Sequence, residues 1–252
     1  MTTGDNRIAA LMIGRGGSTL KDKNILPVLG HPLLHWAAAA ARRSRHIGRH
    51  YISSEDDRIL DAAAAMGYAQ IRRPAELASA TAQSCDAVRH ALDIIAAEGP
   101  VDIVVVQHAN VGTISESIID GCIEMLMADP TLSAVVPCHE RNDYHPLRAK
   151  GVTGEGLLAP FVDTAGPVSA NRQDLPVCYF FDHSIWALRA SAIRTPGGQG
   201  PWDCMGTRIR PWPTEGCLDV HSPEDLKATE DWIRANGIPL PEPVVRAGPG
   251  PG

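Results

Sequence analysis

The sequence predicts one large α/β domain around a buried, parallel-type sheet, and three observations carry that reading. A chain of 252 residues is long enough to bury a substantial core as a single catalytic-sized unit. Residues 8–13 and 102–107 are short apolar runs without polar alternation, the signature of strands covered on both faces. Between and after such runs lie segments whose apolar residues recur at helical spacing, so strands and helices alternate along the chain.

The first strand, residues 8–13, runs directly into Gly14, Gly16 and Gly17, where a turn needs a permissive backbone. Without Cβ atoms in the way, backbone N–H groups there can close around a phosphate chain, and Arg15, Lys21 and Lys23 add positive charge beside Ser18. A polyphosphate is the ligand such a loop suits. It is not a P-loop, because Gly17 is followed by Ser18, Thr19 and Leu20 rather than by Lys-Ser/Thr. Nor is it a dinucleotide fingerprint, since the glycines lead into an extended basic segment instead of a helix.

Arg15-Gly16-Gly17-Ser18, Lys23-Asn24-Ile25 and Gly30-His31-Pro32-Leu33 together resemble the nucleotide-binding signature of the CMP-acid synthetases, cytidylyltransferases typified by CMP-sialic acid synthetase. That family usually reads A-R-G-G-S-K-x-x-x-x-K-N. Here Gly14 replaces the alanine, Thr19 replaces the lysine and the loop is one residue shorter, which leaves the lysine assignment open between Lys21 and Lys23. The resemblance implies a Rossmann-like nucleotidyltransferase fold, similar to glycosyltransferase A: a three-layer sandwich with a mostly parallel mixed sheet. It also implies CTP as substrate, an acidic acceptor, pyrophosphate release and a homodimer.

Residues 32–44 read as an alanine-rich helix opened by proline, and residues 50–54 as a short strand. Glu55, Asp56 and Asp57 suit the N-terminal dipole of a helix at 58–66 that Gly67 ends. Residues 71–77 read as a loop and 84–97 as a helix, with apolar positions at Ala87, Val88, Ala91, Leu92 and Ile95. The resemblance brings Arg73 and Ser84 to the nucleotide; by itself Arg73 reads as a solvated surface charge. In an open α/β sheet a ligand binds beyond the carboxyl ends of the strands, which places Gln107, His108 and Asn110 at the site. Where the family has Q-P-T-S-P-L-R, this chain keeps only the glutamine of those positions.

A helix at 114–128 and a strand at 134–138 lead into a long irregular stretch, 138–176, of the kind that serves function or an interface. Residues 177–188 alternate as one or two strands. By resemblance, Arg172 and Gln173 precede that strand where the family meets the acceptor's acid group, with Asp182-His183-Ser184 in place of N-G-A. The segment from Cys217 to Leu226 is similar to I-D-I-D-T-x-E-D-L. Asp219 matches the metal-binding aspartate and His221 replaces the second. Residues 225–235 close the domain, taken as 1–238, as a helix; 239–252, rich in proline and glycine, read as a disordered tail.

A formal net charge of −6 gives no general reason to bind nucleic acid or anionic membrane, so the first loop's cations are a local device. No apolar run spans a bilayer and the first residues lack a signal peptide's features, so a cytoplasmic location is expected. Six cysteines without C-x-x-C spacing read as reduced thiols. Mg²⁺ asks for one or two carboxylates plus phosphate oxygens, so Asp219 alone can suffice; His221 as a second ligand would favour Mn²⁺, and a capping role is its alternative. The nucleotide motifs are mostly kept while the sugar-acid motifs, around His108, Asn110, Asp182 and His183, are altered. That division points to a changed acceptor, and because some cytidylyltransferases similar to these activate small phosphonic acids, the resemblance implies an acceptor such as phosphonoformate. A sialic-type acid and a non-catalytic nucleotide-binding module are the alternatives.

Overall fold

A computed structural model describes residues 5–17 and 20–244. Its first half is β1 (Asp5–Ile13), a small hairpin of β2 (Pro27–Val28) and β3 (His31–Pro32), α1 (Leu33–Arg43), β4 (Ile47–Ser54), α2 (Asp57–Ala65), β5 (Ala69–Arg72), α3 (Ser84–Ala97) and β6 (Ile103–His108). The second half is α4 (Glu116–Ala128), β7 (Ala134–Glu140), a second hairpin of β8 (Lys150–Val152) and β9 (Leu158–Pro160), β10 (Tyr179–Phe181), β11 (Ile185–Arg189), α5 (Ala190–Arg194), β12 (Ile209–Pro213) and α6 (Pro223–Ala235).

Eight strands form one mixed, mostly parallel sheet in the order β10-β7-β11-β6-β1-β4-β5, with β12 joined to β7 outside that path. β1 pairs in parallel with β4 and β6, β4 with β5, and β7 with β12; β11 runs antiparallel to β6 and β7, and β10 to β7. Side chains of a strand alternate between faces, and here both faces are covered. Ala10 and Met12 of β1 join Leu34, Ile59 and Ile119 from α1, α2 and α4, while Ala9 and Leu11 join Val88, Leu92 and Ile193 from α3 and α5. The result is the expected three-layer sandwich. Residues 37–41 of α1 are five buried alanines, small enough for the helix to sit close against the sheet. α6 begins with a capping box between Ser222 and Asp225 and packs Ile233 against Val28, Leu33, Trp36 and Val220. That contact closes the chain's end over the segment that follows the glycine loop.

Two strands escape the sequence pattern. In β5 only Ile71 is buried, so an edge strand replaces the expected loop without showing apolar periodicity. β12 carries Pro211 and Pro213, which argue against a strand unless it lies at an edge, and it has only β7 as its named neighbour. The cysteine expectation is corrected as well: Cys85 at the start of α3 and Cys204 in the turn at 203–205 form a disulfide, with Cα atoms 5.4 Å apart. Their sequence separation of 119 residues hides a pairing that only folding creates. Cys122, Cys138, Cys178 and Cys217 are free. The stretch 138–176 carries the β8–β9 hairpin and three short 3-10 turns. Of the expected disordered tail, residues 239–244 lie on the described chain, where Pro241 is buried and the Val244 amide donates to the Ala65 carbonyl at 2.8 Å; residues 245–252 lie outside the described residues. Among the described residues no helix is long and apolar enough to cross a membrane.

Candidate active site

Beyond the carboxyl ends of β1 and β6 a cavity of about 360 Å³ opens. This is where an open α/β sheet presents a ligand to its loops. Gly14 forms the cavity's floor. A Cβ there would lie 2.9 Å from the Ala109 Cβ and 3.3 Å from Asn24 Nδ2, so only glycine lets the chain leave β1 at this angle. Asn24, buried, donates from Nδ2 to the Arg15 carbonyl at 3.0 Å and pins the loop's first residue to its last turn. The Arg15 guanidinium then reaches across the cavity mouth and donates to the Ser79 carbonyl at 2.9 Å.

Lys23 enters from the opposite side, its Nζ donating to the Val220 carbonyl at 3.0 Å and lying 3.4 Å from His221 Nδ1. Burial pulls its ammonium below the ordinary lysine value, and nearby Asp219 opposes that shift. Asp219 accepts from the Asn110 side-chain amide and lies 3.0 Å from His221 Nε2. The Val111–Asp219 bridge and the Val220 amide bond to the Asn110 carbonyl hold the 219–221 segment against the end of β6. Lys23, Asn110, Asp219 and His221 therefore form one polar cluster, assembled from three distant parts of the chain.

Arg73 is buried rather than solvated. It donates to Ser53 Oγ at 3.1 Å and to the Ser53 carbonyl at 2.6 Å, lines the cavity, and is held below the ordinary arginine value by burial. Ser84, the first residue of α3, lines the same wall. His108 closes the far end, its ring 4.6 Å from that of Trp186 and 5.9 Å from that of His183. Burial, with His183 as the next cause, pushes the His108 imidazole down to about 3. His183 holds a left-handed backbone at φ 56°, sits 4.8 Å from the Trp202 ring, and is also lowered by burial. Both imidazoles are therefore neutral at pH 7; of the two, His108 lines the cavity, while the expected His183 stands outside its lining, packed among Phe181, Trp186 and Trp202.

Several expected site residues lie elsewhere. Gln107 is turned away: it accepts from Tyr68 Oη at 2.7 Å and donates to the Ala37 carbonyl at 2.7 Å inside the core, because alternation along β6 sends it toward α1 while His108 faces the cavity. Lys21 is exposed and outside the cavity lining, so between the two lysines it is Lys23 that reaches the cavity. Gly16 and Gly17 are also outside the lining, and the Gly16 amide donates to Glu55 Oε1 at 2.7 Å. Asp182 is buried with its carboxylate committed to Ser184 and Thr214, so it shapes the turn before β11 rather than facing a ligand. Arg172 and Gln173 line a separate surface cavity, where Arg172 pairs with Asp143 at 2.7 Å. Ser18 lies outside the described residues. The sequence reading missed Ser79 and Gln83, which carry no motif and reach the cavity only through the loop before α3, and Trp186, which lies in the core behind His108.

Among the described residues no group of three or more His, Cys, Asp or Glu could hold a metal ion. Asp219 and His221 remain as a pair. Asp219 still has lone pairs beyond those used by Asn110 and His221, which fits a hard cation bound mainly by phosphate oxygens and water.

A cytidylyltransferase family signature matches residues 9–149, more than half of the chain and including the glycine loop, Arg73, Ser84, His108 and Asn110. The chain belongs to the cytidylyltransferase family. Over 85 residues it is 38% identical to the 3-deoxy-manno-octulosonate cytidylyltransferases of Synechococcus elongatus and of a Synechococcus species, a match spanning 33% of this chain and 35% of each relative. The aligned part thus covers only about a third of the curated relatives' length. Among solved structures, CMP:2-keto-3-deoxy-manno-octonic acid synthetase complexed with CTP superposes with a TM-score of 0.68 at 15% identity, covering 91% of this chain and 99% of that one. 4-Diphosphocytidyl-2C-methyl-D-erythritol synthase of Anaerococcus prevotii superposes at 0.60 and 11% identity, covering 90% and 96%. At these identities the two structures establish the fold alone, the mixed, mostly parallel sheet with helices on both faces.

Proposed function

We propose that the chain transfers CMP from CTP to an acidic acceptor with release of pyrophosphate, and that the acceptor is a small phosphonic acid such as phosphonoformate. The observation that carries this reading is the gathering of Arg15, Lys23 and Arg73 in one cavity beside Asp219, on a floor that Gly14 keeps open. Nucleotidyl transfer needs little more from a protein than cations on the triphosphate and an acceptor held in line with the α-phosphorus. Arg15 and Lys23 would hold the phosphates, so that the acceptor oxygen attacks the α-phosphorus and pyrophosphate departs toward the cations. Asp219, with His221 as a second donor, would hold Mg²⁺ or Mn²⁺, which supplies neutralisation of the phosphate charge when bound.

The acceptor end favours a small acid. Of the positions expected to meet the acceptor, His108 and Asn110 line the cavity, with Trp186 packed behind the His108 ring at 4.6 Å, while Arg172, the guanidinium expected to meet the acceptor's acid group, lines a different cavity, so the small-acid reading rests on the altered sugar-acid motifs. A nonulosonic or octulosonic sugar acid is the second reading, supported by what the relatives' names say they act on. The test is pyrophosphate release and ³¹P NMR with CTP, Mg²⁺ and each acid in turn. A CMP-phosphonate formed with higher kcat/KM than any CMP-sugar acid is the expected result; the opposite order selects the second reading, and CTP binding without any turnover selects a non-catalytic module. A homodimer is proposed as well, with Val152, Leu158 and Phe161 exposed on the β8–β9 arm as its apolar contact, and sedimentation as its check.

A further inference from the structure

Both ends of the glycine loop are fastened to one place, the start of α2. At the loop's beginning, the Gly16 amide donates to Glu55 Oε1 at 2.7 Å, and a Cβ on Gly16 would meet Asp56 Oδ2 at 2.6 Å, so the loop lies directly on this acidic turn. At its end, Asp22 adopts a left-handed backbone at φ 59°, uncommon outside glycine though easier for aspartate than for most residues, and a neighbour braces its side chain. The neighbour is Arg58, which donates to Asp22 Oδ1 at 2.8 Å and grips Asp56 at 2.7 Å with the same Nη2 nitrogen. Asp22 immediately precedes Lys23, so its dihedral angles decide that Lys23 turns into the cavity while Lys21 stays in solvent.

The anchor is itself held. Asp56 caps α2 by accepting from the Arg58 amide at 2.9 Å, its own amide donates to Ser54 Oγ at 3.1 Å, and Arg72 donates to the Glu55 carbonyl at 2.6 Å. Hydrogen bonding to Arg58 keeps the Asp56 carboxyl below its ordinary value, so it is ionised throughout the neutral range. Neither Glu55 nor Arg58 lines the cavity.

We propose that Glu55 and Arg58 are positioning residues for CTP, acting through Gly16 and Asp22 to preset the loop that presents Arg15 and Lys23. This rests on the assignment of the triphosphate to that loop. It excludes the other reading of the Glu55–Gly16 bond, in which the carboxylate is a stand-in anion on a phosphate-binding amide that CTP must displace. The two make opposite predictions, because a positioning carboxylate helps CTP and a competing one hinders it.

The experiment measures CTP affinity by calorimetry, and KM and kcat by pyrophosphate release, for wild type, Glu55→Ala, Glu55→Gln, Arg58→Ala and Arg15→Ala, with thermal melts for each. Loss of a charge-assisted contact that presets the loop is expected to weaken CTP about 10-fold in Glu55→Ala and in Arg58→Ala. KM for CTP should rise while KM for the acceptor stays within about twofold. Glu55→Gln keeps an oxygen for the Gly16 amide and should restore most of the affinity, a rescue that a purely structural role for the charge would not show. Tighter CTP binding in Glu55→Ala overturns the proposal in favour of the stand-in anion. Unchanged CTP affinity in both alanine variants overturns it too, provided Arg15→Ala weakens CTP; if Arg15→Ala is also silent, the assignment of CTP to this loop falls and the proposal with it. Should Glu55→Ala melt early, Arg58→Ala tests the other end of the same loop.

Discussion

Replacing Gln107 by leucine separates a core role from a ligand-binding one. Gln107 sits at the last buried position of β6, where a nucleotide contact is expected from strand position alone, yet its amide bridges Tyr68 Oη and the Ala37 carbonyl at 2.7 Å each. Leucine has nearly the same volume, so little cavity is created. Two buried hydrogen bonds disappear, and the Tyr68 hydroxyl is left without its partner in a fully covered layer, while the Ala37 carbonyl, in the interior of α1, keeps its place in the helix ladder. At about 1–3 kcal/mol for the orphaned hydroxyl and about 1 kcal/mol for the second lost bond, the variant should be destabilised by roughly 2–4 kcal/mol. For a chain of this size that is a fall in Tm of roughly 10 °C. Adding Tyr68→Phe removes the orphaned hydroxyl and should return about 1–2 kcal/mol, so the double variant melts higher than Gln107→Leu alone. Calorimetric CTP binding, measured well below the melt, should stay within about twofold of wild type. An unchanged Tm together with a tenfold loss of CTP affinity would refute the assignment and return Gln107 to the nucleotide.

Asp219→Asn keeps the shape of the polar cluster but removes its carboxylate charge, so turnover with Mg²⁺ should fall by at least about 100-fold while CTP still binds; normal turnover at limiting Mg²⁺ excludes a metal role for Asp219. Stability should also fall on mild acidification. Burial lowers His50 to about 4 and His108 to about 3, so between pH 6.5 and those values the unfolded chain takes up protons that the folded chain refuses. Each such histidine contributes up to about 1.4 kcal/mol per pH unit, fully present above pH 6.5 and lost on the way down. Unfolding free energies from urea melts at pH 7 and pH 5 should therefore differ by roughly 2–4 kcal/mol in all, and equal values would contradict the burial of these imidazoles.

The local chemistry of this chain was legible without coordinates. The apolar run of β1, the glycines after it, the helix at Ser84–Ala97 and the strand at Ile103–His108 follow from periodicity and from which backbones tolerate a side chain. Arg15 is expected from its charge in the glycine loop and His108 from its place at the carboxyl end of a predicted strand, whereas Asn24 and the mostly parallel mixed sheet follow from the resemblance to the CMP-acid synthetases. What the one-dimensional pattern could not decide is which way a residue turns and what it meets. Gln107 and His108 are neighbours with the same claim on the site, and the pleat sends one into the core and the other into the cavity. Lys21 and Lys23 are equivalent by composition until the left-handed turn at Asp22, whose side chain Arg58 holds, separates them. Arg172 matches a motif, but the fold sets it in another cavity against Asp143. Cys85 and Cys204, β5 and β12 depend on neighbours 119 residues away or at the sheet's edge. Local propensity and spacing are properties of short windows, whereas side-chain direction, partner and charge environment arise only when distant segments close on one another.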